Sequence, residues 1–415
     1  MGATTAIRLL FGLMTFALLA RMLGPTSFGV LMLWLAIATL ASLVANYGFT
    51  PYLLREICAN PGSANLVMNE VFSAKLLVSS GVFSLSLTAM PFIAAEIRWI
   101  FLLLLLAMLA DSTTDFLNVG YRATNRFSSE TRIATVAAAF QFALVGGLVW
   151  YSATVMQAAI AFVASRTCVL IITWLNQKQY FAQLRPAPVG RAVRRLKQAA
   201  SYAMDFGLQS LIGHIDSLVL NYFLGPIAVG LHQAGMRLFL GGGQFANVLG
   251  NVFVPRVSSV VSQGLRLDKQ AEQLQRMFFG TGAAFGLALA IGADSIVHLL
   301  FGDQFAGLAA LLPWFGLLFF VRFFAAAYGV LLTAAGKQTL RAQANLTHWI
   351  LILAVAWVLV PRLGNLGWLL ALTIGNVLLA SIYFSACRPL ATGSRLNLAF
   401  ASLSLIAFAP FLRVV

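Results

Sequence analysis

Charged residues are scarce in this chain of 415 residues, since only 9% are Asp, Glu, Lys or Arg, whereas soluble domains carry about 25%. Acidic residues are scarcer still, with 12 Asp and Glu against 27 Lys and Arg. Hydrophobic residues make up 60% of the chain. This composition excludes a water-soluble globular protein. The basic residues lie in short gaps between apolar runs, which favours an anionic membrane leaflet over nucleic acid as their partner.

Cysteine and catalytic motifs are also lacking. Cys58, Cys168 and Cys387 lie far apart without a CxxC spacing, which is not typical of a disulfide or metal framework. The chain has no nucleophile elbow, no His-Glu-x-x-His motif and no GxxxxGK[ST] loop. Asp111 and Asp115 are one turn apart, but no nearby helix clearly supplies the other oxygen ligands of a divalent metal. The sequence therefore predicts a protein that is not an enzyme, with no cofactor and no metal site.

Long apolar runs are what the sequence does have. Because about 20 apolar residues cross a membrane, we predict an all-α polytopic membrane protein of about 12 transmembrane helices. The first run resembles a secretory signal, but it has no convincing small-x-small cleavage site before Arg21, so we interpret it as a mature helix. A short apolar stretch, 397–412, is a candidate thirteenth span. The predicted spans are 3–23, 28–54, 71–95, 99–119, 131–151, 155–176, 201–223, 228–254, 277–300, 306–333, 342–361 and 365–387.

Lys and Arg are distributed unevenly between the two sets of alternate connections. One set carries only Arg21, Arg98 and Arg362. Because basic connections stay on the cytoplasmic side, the N-terminus is predicted to be cytoplasmic. The other set carries Arg55, Arg122, Arg126, Arg132, Lys178, Arg185, Arg191, Arg194, Arg195, Lys197, Arg256, Arg266, Lys269, Arg276, Lys337, Arg341, Arg388 and Arg395.

One long polar connection, 177–198, lies near the middle of the chain. It divides a six-helix lobe, 1–176, from a second lobe, 199–387, and leaves 388–415 as a C-terminal extension. Two interpretations of the connection stay open: an amphipathic helix against anionic headgroups, or a solvated basic loop that only fixes the topology. The basic residues concerned are Arg191, Arg194, Arg195 and Lys197.

The chain carries an internal repeat. The sequence LGPTSFG at 23–29 closes the first predicted helix, and LGPIAVG at 224–230 closes the seventh. At the same offset of 201 positions, Asn46 aligns with Asn247, Thr50 with Asn251 and Arg55 with Arg256. We therefore expect two parallel-repeat bundles of six helices, because six crossings return the chain to its starting side. Substrate sites in such folds lie between the repeats, and rocking of one half against the other is the natural mechanism.

Polar residues inside the predicted spans recur at helical spacing. An ionisable group that faces lipid costs a few kcal/mol, so these side chains are expected to face a cavity or a partner. Buried Asn and Gln also have a structural interpretation as contacts between helices. Asp216 and Arg237 lie at similar distances from the 225–230 turn, which predicts an ion pair across that hairpin. The stripes are Asp111, Asp115, Asn118 and Arg122; Asp205, Gln209 and Asp216; and Gln233, Arg237, Gln244, Asn247 and Asn251.

Several segments carry a resemblance to a known family. Residues 19–29, 46–48 and 53–57 resemble the start of the Wzx-type polysaccharide-biosynthesis flippases. These belong to the MOP superfamily, together with multidrug MATE exporters and lipid II flippases. The resemblance implies two six-helix lobes facing a V-shaped cavity. It also implies a cargo of oligosaccharide linked through pyrophosphate to a polyprenyl lipid. Segments similar to the second half of that family are 214–216, 224–226, 229–231, 237–238 and 299–305.

The leading hypothesis is an inner-membrane flippase that moves polyprenyl-pyrophosphate-linked repeat units outward by alternating access. Turnover would be driven by an H⁺ or Na⁺ gradient or by removal of product, with membrane lipids and the polysaccharide polymerase machinery as further partners. Replacing Arg237 with Ala is expected to abolish export. The substrate-binding candidates are Arg166, Arg237, Arg322, Asn46, Gln233, Gln244, Asn247 and Asn251, and the ion-coupling candidates are Asp205, Asp216, Asp111 and Asp115.

Two alternatives remain. A MATE-like exporter of cationic drugs needs an acidic, aromatic cavity, whereas three mid-span arginines balance the carboxylates here. A membrane glycosyltransferase or polymerase that acts on the same lipid-linked sugars generally needs a sizeable outward loop, and the predicted outward turns are only a few residues long.

Overall fold

The computed structural model describes residues 2–59, 61–124, 126–177, 185–263, 267–389 and 395–412. Within these ranges the chain is almost entirely helical and has no strand, which confirms the predicted all-α class. The helices are α1 (Gly2–Asn46), α2 (Phe49–Ala59), α3 (Ala64–Ala89), α4 (Ala95–Ala123), α5 (Phe127–Tyr151), α6 (Val155–Gln177), α7 (Val189–Ile212), α8 (Ile215–Leu224), α9 (Pro226–Ser262), α10 (Asp268–Ile291), α11 (Ala293–Leu300), α12 (Ala306–Ala334), α13 (Gln338–Cys387) and α14 (Arg395–Phe408).

Eight helical segments of the described residues are long and apolar enough to cross a membrane. Two of them, Ile7–Ala59 and Gln338–Cys387, have 53 and 50 residues, more than twice the length that one crossing needs. Gly24 (φ 71°) and Gly364 (φ 58°) interrupt the helical backbone inside these two segments. Each long segment therefore holds two of the predicted spans, and the polytopic membrane architecture is confirmed.

Two predicted spans are interrupted. The span expected at 201–223 is divided between α7 and α8, with Gly213 and His214 in the turn, so Asp216 does not share a helix with Asp205 and Gln209. The span expected at 277–300 is divided between α10 and α11 at Gly292. Neither Gly213 nor Gly292 is among the glycines with positive φ, and the φ of Gly292 is −87°. Hydropathy alone does not register a break of this kind.

The chain divides into two compact units, Met1–Asn221 (unit 1) and Tyr222–Val415 (unit 2). The sequence places the division earlier, within 177–198. The difference arises because α7 packs on α3, with Ala192 and Ala199 fully buried. Residues 178–184 of the predicted linker lie outside the described residues. The lobe boundaries of the sequence analysis thus stay a prediction.

A buried ion pair attaches α7 to α3. Glu70 is 1% exposed, and its Oε2 accepts a 2.8 Å hydrogen bond from Nε of Arg195. The hydroxyl of Tyr52 accepts a second hydrogen bond from Arg195, at 2.9 Å. Burial, the largest single contribution, acts to lower the pKa of the Arg195 guanidinium, but the contacts with Tyr52 and Glu70 raise that pKa above its usual value. Residues 189–198 are thus a helix packed on protein rather than a solvated loop.

The two repeat turns share one backbone conformation. Gly24 has φ 71° and ψ 169°, and Gly225 has φ 82° and ψ −176°. Each glycine precedes a proline, which begins the following helix without the need for an amide hydrogen. Beyond the turns the two copies differ: α1 ends at Asn46, with positive φ at Tyr47 and Gly48, whereas α9 continues through Asn247 to Ser262.

Close backbone contact joins α10 and α12 in the core of unit 2. A Cβ built on Gly286 would lie 2.6 Å from the carbonyl oxygen of Gly316 and 2.9 Å from the ring of Phe408, which belongs to α14. Small residues at such a crossing let two backbones approach each other. The predicted thirteenth span is therefore a helix packed on α10, but the apolar part Asn397–Phe411 is too short to cross a hydrocarbon core of about 30 Å as a straight helix.

Candidate functional site

The described residues of unit 1 enclose a polar cavity of about 430 Å³. It lies among α1, α4, α5 and α6, and the whole predicted stripe of α4 lines it. The stripe recurs every three or four residues, so its members share one helix face, as expected from sequence. The ionisable and amide residues of the lining are Arg8, Asp111, Asp115, Asn118, Arg122, Glu130, Gln141 and Arg166.

Ion pairs neutralise most of the charge in the unit 1 cavity. Arg166 Nη1 lies 2.5 Å from Asp111 Oδ1. Arg122 Nη2 lies 2.8 Å from Asp115 Oδ1 and 2.7 Å from Glu130 Oε1. The mid-span Arg166 therefore has a carboxylate partner. Asp111 and Asp115, the candidates for ion coupling, face the same cavity through these pairs.

Two buried polar residues, Thr50 and Lys75, form hydrogen bonds with side chains of α4. The hydroxyl of Thr50 donates a 2.9 Å hydrogen bond to Asp115 Oδ2. Lys75 of α3 is only 1% exposed. It donates a 2.8 Å hydrogen bond to the hydroxyl of Ser112, which lies on α4 together with Asp115. Lys75 is not among the site residues predicted from the sequence, although an ionisable residue inside an apolar span is the signal that identifies such groups.

The described residues of unit 2 enclose a second cavity, of about 550 Å³. Its walls come from α9, α10, α12 and α13. Gln244, Asn247 and Asn251 of the predicted α9 stripe line it, and Asn247 Nδ2 donates a 3.2 Å hydrogen bond to Gln244 Oε1. The other polar residues of the lining are Arg322, Thr333, Arg341, Asn345 and Tyr383.

Two arginines reach the unit 2 cavity. Arg322 was predicted to face an aqueous interior, and its side chain is exposed although Val321 and Phe323 beside it are buried. Arg341 was missed, because the sequence placed it in a connection just before a predicted span. Its Nη1 donates to the hydroxyl of Thr333, at the opposite end of the same inter-helix turn.

Other predicted site residues lie away from these cavities. Gln233 is buried, and Arg237 is half-buried outside the lining of the unit 2 cavity. Asn46 is buried at the end of α1. Asp216 is buried in the first turn of α8, where its Oδ1 accepts a 2.7 Å hydrogen bond from the amide of Ser217. The predicted binding and coupling roles of these residues stay predictions.

The remaining candidates are Asp205 and the pair of Asp216 and Arg237. The side chain of Asp205 lies outside the described residues. Asp216 and Arg237 belong to different units, and their predicted ion pair stays a prediction. Within the described ranges no group of three or more His, Cys, Asp or Glu residues could hold a metal ion.

Comparison with known proteins identifies related sequences. A model of the family described as "Polysaccharide biosynthesis protein" matches residues 2–261. The capsular polysaccharide biosynthesis protein CapF of Staphylococcus aureus is 24% identical over 227 residues, which are 52% of this chain and 55% of CapF. The match thus spans about half the length of this curated relative.

Solved structures resemble the whole chain. The lipid II flippase MurJ in an inward closed conformation superposes with a TM-score of 0.80 at 11% identity, over 99% of this chain and 91% of MurJ. An inward-facing multidrug resistance MATE transporter of the MOP superfamily gives a TM-score of 0.67 at 16% identity, over 97% and 96% of the two chains. At such identities the likeness shows the fold alone.

Proposed function

This chain belongs to the polysaccharide biosynthesis protein family and has the MOP fold, and from that premise we propose that it is a flippase for lipid-linked oligosaccharides. The cargo is a repeat unit joined through pyrophosphate to a polyprenyl lipid. It moves from the cytoplasmic to the periplasmic leaflet of the bacterial inner membrane by alternating access, with the N-terminus of the protein in the cytoplasm.

The unit 2 cavity is the observation that carries this proposal. Amide side chains of Gln244, Asn247, Asn251 and Asn345 line it, beside the apolar segment that contains α12. An amide offers both donors and acceptors, as sugar hydroxyl groups require. Asn247 and Asn251 are exposed rather than buried between helices, which favours a functional lining over a structural contact between helices.

The decisive experiment is deletion of the gene followed by lipid extraction. The deletion strain is expected to accumulate the lipid-linked oligosaccharide, accessible only from the cytoplasmic side, and plasmid-borne wild type is expected to restore export. Replacing Gln244, Asn247 and Asn251 together with Ala should reduce restoration at least about tenfold, because several hydrogen bonds to cargo are lost. Gln273→Ala, an exposed amide outside the cavity lining, is the matched control. Normal export in the deletion strain would contradict the proposal.

Energy coupling forms part of the same proposal. Asp111 and Asp115 line the unit 1 cavity, and with Asp205 and Asp216 they are the carboxylates proposed to exchange H⁺ or Na⁺. Docking of the polysaccharide polymerase machinery is a further proposed interaction. Replacing each Asp with Asn and measuring export while the H⁺ or the Na⁺ gradient is collapsed separates the two ions.

Export of organic cations is the rival function. The lining of the unit 2 cavity contains two arginines and no carboxylate, which disfavours a cationic ligand there. Accumulation assays with a dye cation distinguish the two activities. We also propose that the protein is not an enzyme. A sugar-transfer assay with the purified protein tests this proposal.

A further inference from the structure

The two cavities differ in net charge. The lining of the unit 1 cavity contains Arg8, Arg122 and Arg166 together with Asp111, Asp115 and Glu130, so its formal charges cancel. The lining of the unit 2 cavity contains Arg322 and Arg341 and neither Asp nor Glu. Of these two cavities among the described residues, the unit 2 cavity is the one with positive charge that its own lining does not neutralise.

Both arginines of unit 2 keep donors for a ligand. Arg322 Nη1 donates a 3.1 Å hydrogen bond to Asn376 Oδ1, and Arg341 Nη1 donates to Thr333 and, at 3.3 Å, to Gln338 Oε1. These acceptors are all neutral. Neither arginine forms an ion pair within the described ranges of the chain. A guanidinium has five N–H donors, so each retains N–H groups for a further acceptor.

The two guanidinium groups lie along one wall of the cavity. Arg341 Nη2 lies 3.9 Å from the Cβ position of Gly329, which is seven residues beyond Arg322 on α12. That separation corresponds to about 10 Å of helix rise. Two flexible arginines at this spacing can converge on one extended anion, and arginine forms its strongest hydrogen bonds with phosphate and carboxylate oxygens.

We propose that the unit 2 cavity is an anion site, in which Arg322 and Arg341 bind the diphosphate group of the cargo. The lipid and its diphosphate come from the proposed function, on which this inference rests, whereas the preference for an anion follows from the two arginines of the cavity. The amides of α9 lie next to this site and contact the attached sugar. Arg166 is paired with Asp111, and its predicted role in binding stays a prediction.

Binding to the purified full-length protein in nanodiscs of neutral lipid tests the proposal. The probes are inorganic pyrophosphate, polyprenyl diphosphate and the unphosphorylated polyprenol. Wild type is expected to bind polyprenyl diphosphate at least about tenfold more tightly than polyprenol. Binding of pyrophosphate as well would show that the anion alone suffices, whereas binding of the lipid form only would show that the chain contributes; either result supports the site.

Variants locate the site. Arg322→Gln with Arg341→Gln should weaken diphosphate binding at least about tenfold, while the Lys versions should retain part of the affinity. Asn251→Asp, which adds a carboxylate to the cavity without a change of size, should also weaken binding. Arg276→Gln, on the exposed face of α10, should bind as wild type. Unfolding temperatures identify any variant that fails to fold.

Three results would overturn the site: no preference of wild type for the diphosphate, unchanged binding by the double Gln variant, or equal loss in Arg276→Gln. Failure of the flippase assignment is distinguishable from these results. If the flippase assignment alone is wrong, diphosphate binding would still depend on Arg322 and Arg341, but the deletion strain would export normally.

Discussion

Arg166 on α6 donates a 2.5 Å hydrogen bond from Nη1 to Oδ1 of Asp111 on α4. From the sequence the two residues are separate candidates, Arg166 for cargo binding and Asp111 for ion coupling. In the structure the two side chains form an ion pair in the lining of the unit 1 cavity. The contact turns an apparent excess of positive charge at this depth into a neutral pair.

The Arg166–Asp111 pair should behave as one energetic unit. Both side chains are partly exposed, so their coupling should be modest, roughly 0.5–1 kcal/mol. Asp111→Asn and Arg166→Gln should each lower the unfolding temperature of the purified protein, and the double variant should be less destabilised than the sum of the two. A double-mutant cycle measures this coupling, with Arg362→Gln as an unrelated arginine; strict additivity would contradict the pairing.

The buried Glu70 should be among the most sensitive acidic residues of the chain. Glu70→Gln leaves Arg195 without its closest charge partner, and breaking a buried pair typically costs about 3–5 kcal/mol. Thermal unfolding in detergent, or the yield of folded protein, measures the effect. Glu56→Gln is the matched control, because Glu56 lies 3.7 Å from the same arginine and is more exposed. Equal effects of the two variants would contradict a special role for Glu70.

Gly48 should not tolerate a side chain. Its φ is +63°, and a Cβ there would lie 2.5 Å from the carbonyl carbon of Tyr202 on α7. Gly48→Ala therefore combines a left-handed backbone with a clash against backbone atoms, and we expect a loss of roughly 3 kcal/mol. Gly147→Ala on α5 has open space around its Cβ and should be neutral or slightly stabilising. The unfolding temperatures of the two variants, compared with that of wild type, test both expectations.

The contact between α10 and α12 predicts a similar contrast. A Cβ on Gly316 would overlap the carbonyl oxygen of Gly286, so Gly316→Ala should force the two helices apart at a cost of about 1–3 kcal/mol. Gly280→Ala, on α10 but with nothing within 4 Å of its Cβ, should leave stability nearly unchanged. If both variants unfold at the same temperature as wild type, the result would contradict a close contact between α10 and α12 at Gly286 and Gly316.

Much of the architecture was predictable from the sequence, because hydropathy registers directly whether a segment suits a lipid environment. The stripe from Asp111 to Arg122 was also predictable, since helical periodicity fixes which residues share a face. The equivalent conformation of Gly24 and Gly225 follows from the repeated Gly-Pro dipeptide.

The remaining site residues were missed for two physical reasons. Glu130 and Arg341 lie at helix ends that the sequence assigns to connections, where a charge is interpreted as a topology signal. Both reach back into a cavity, because long side chains extend well beyond their own turn of helix. Glu70 and Lys75 are single charges without a repeating pattern, so only their tertiary partners reveal their roles.

The partner of Glu70 follows it by 125 residues along the chain. At roughly 5–20 residues per second, the ribosome reaches Arg195 on the order of ten seconds after Glu70. During that interval α3 enters the bilayer with an acid that has not yet met its arginine. Unit 1 can therefore complete its packing only when α7 has been synthesised. A ribosome stalled before α7 should accordingly leave the nascent chain open to quality-control proteases.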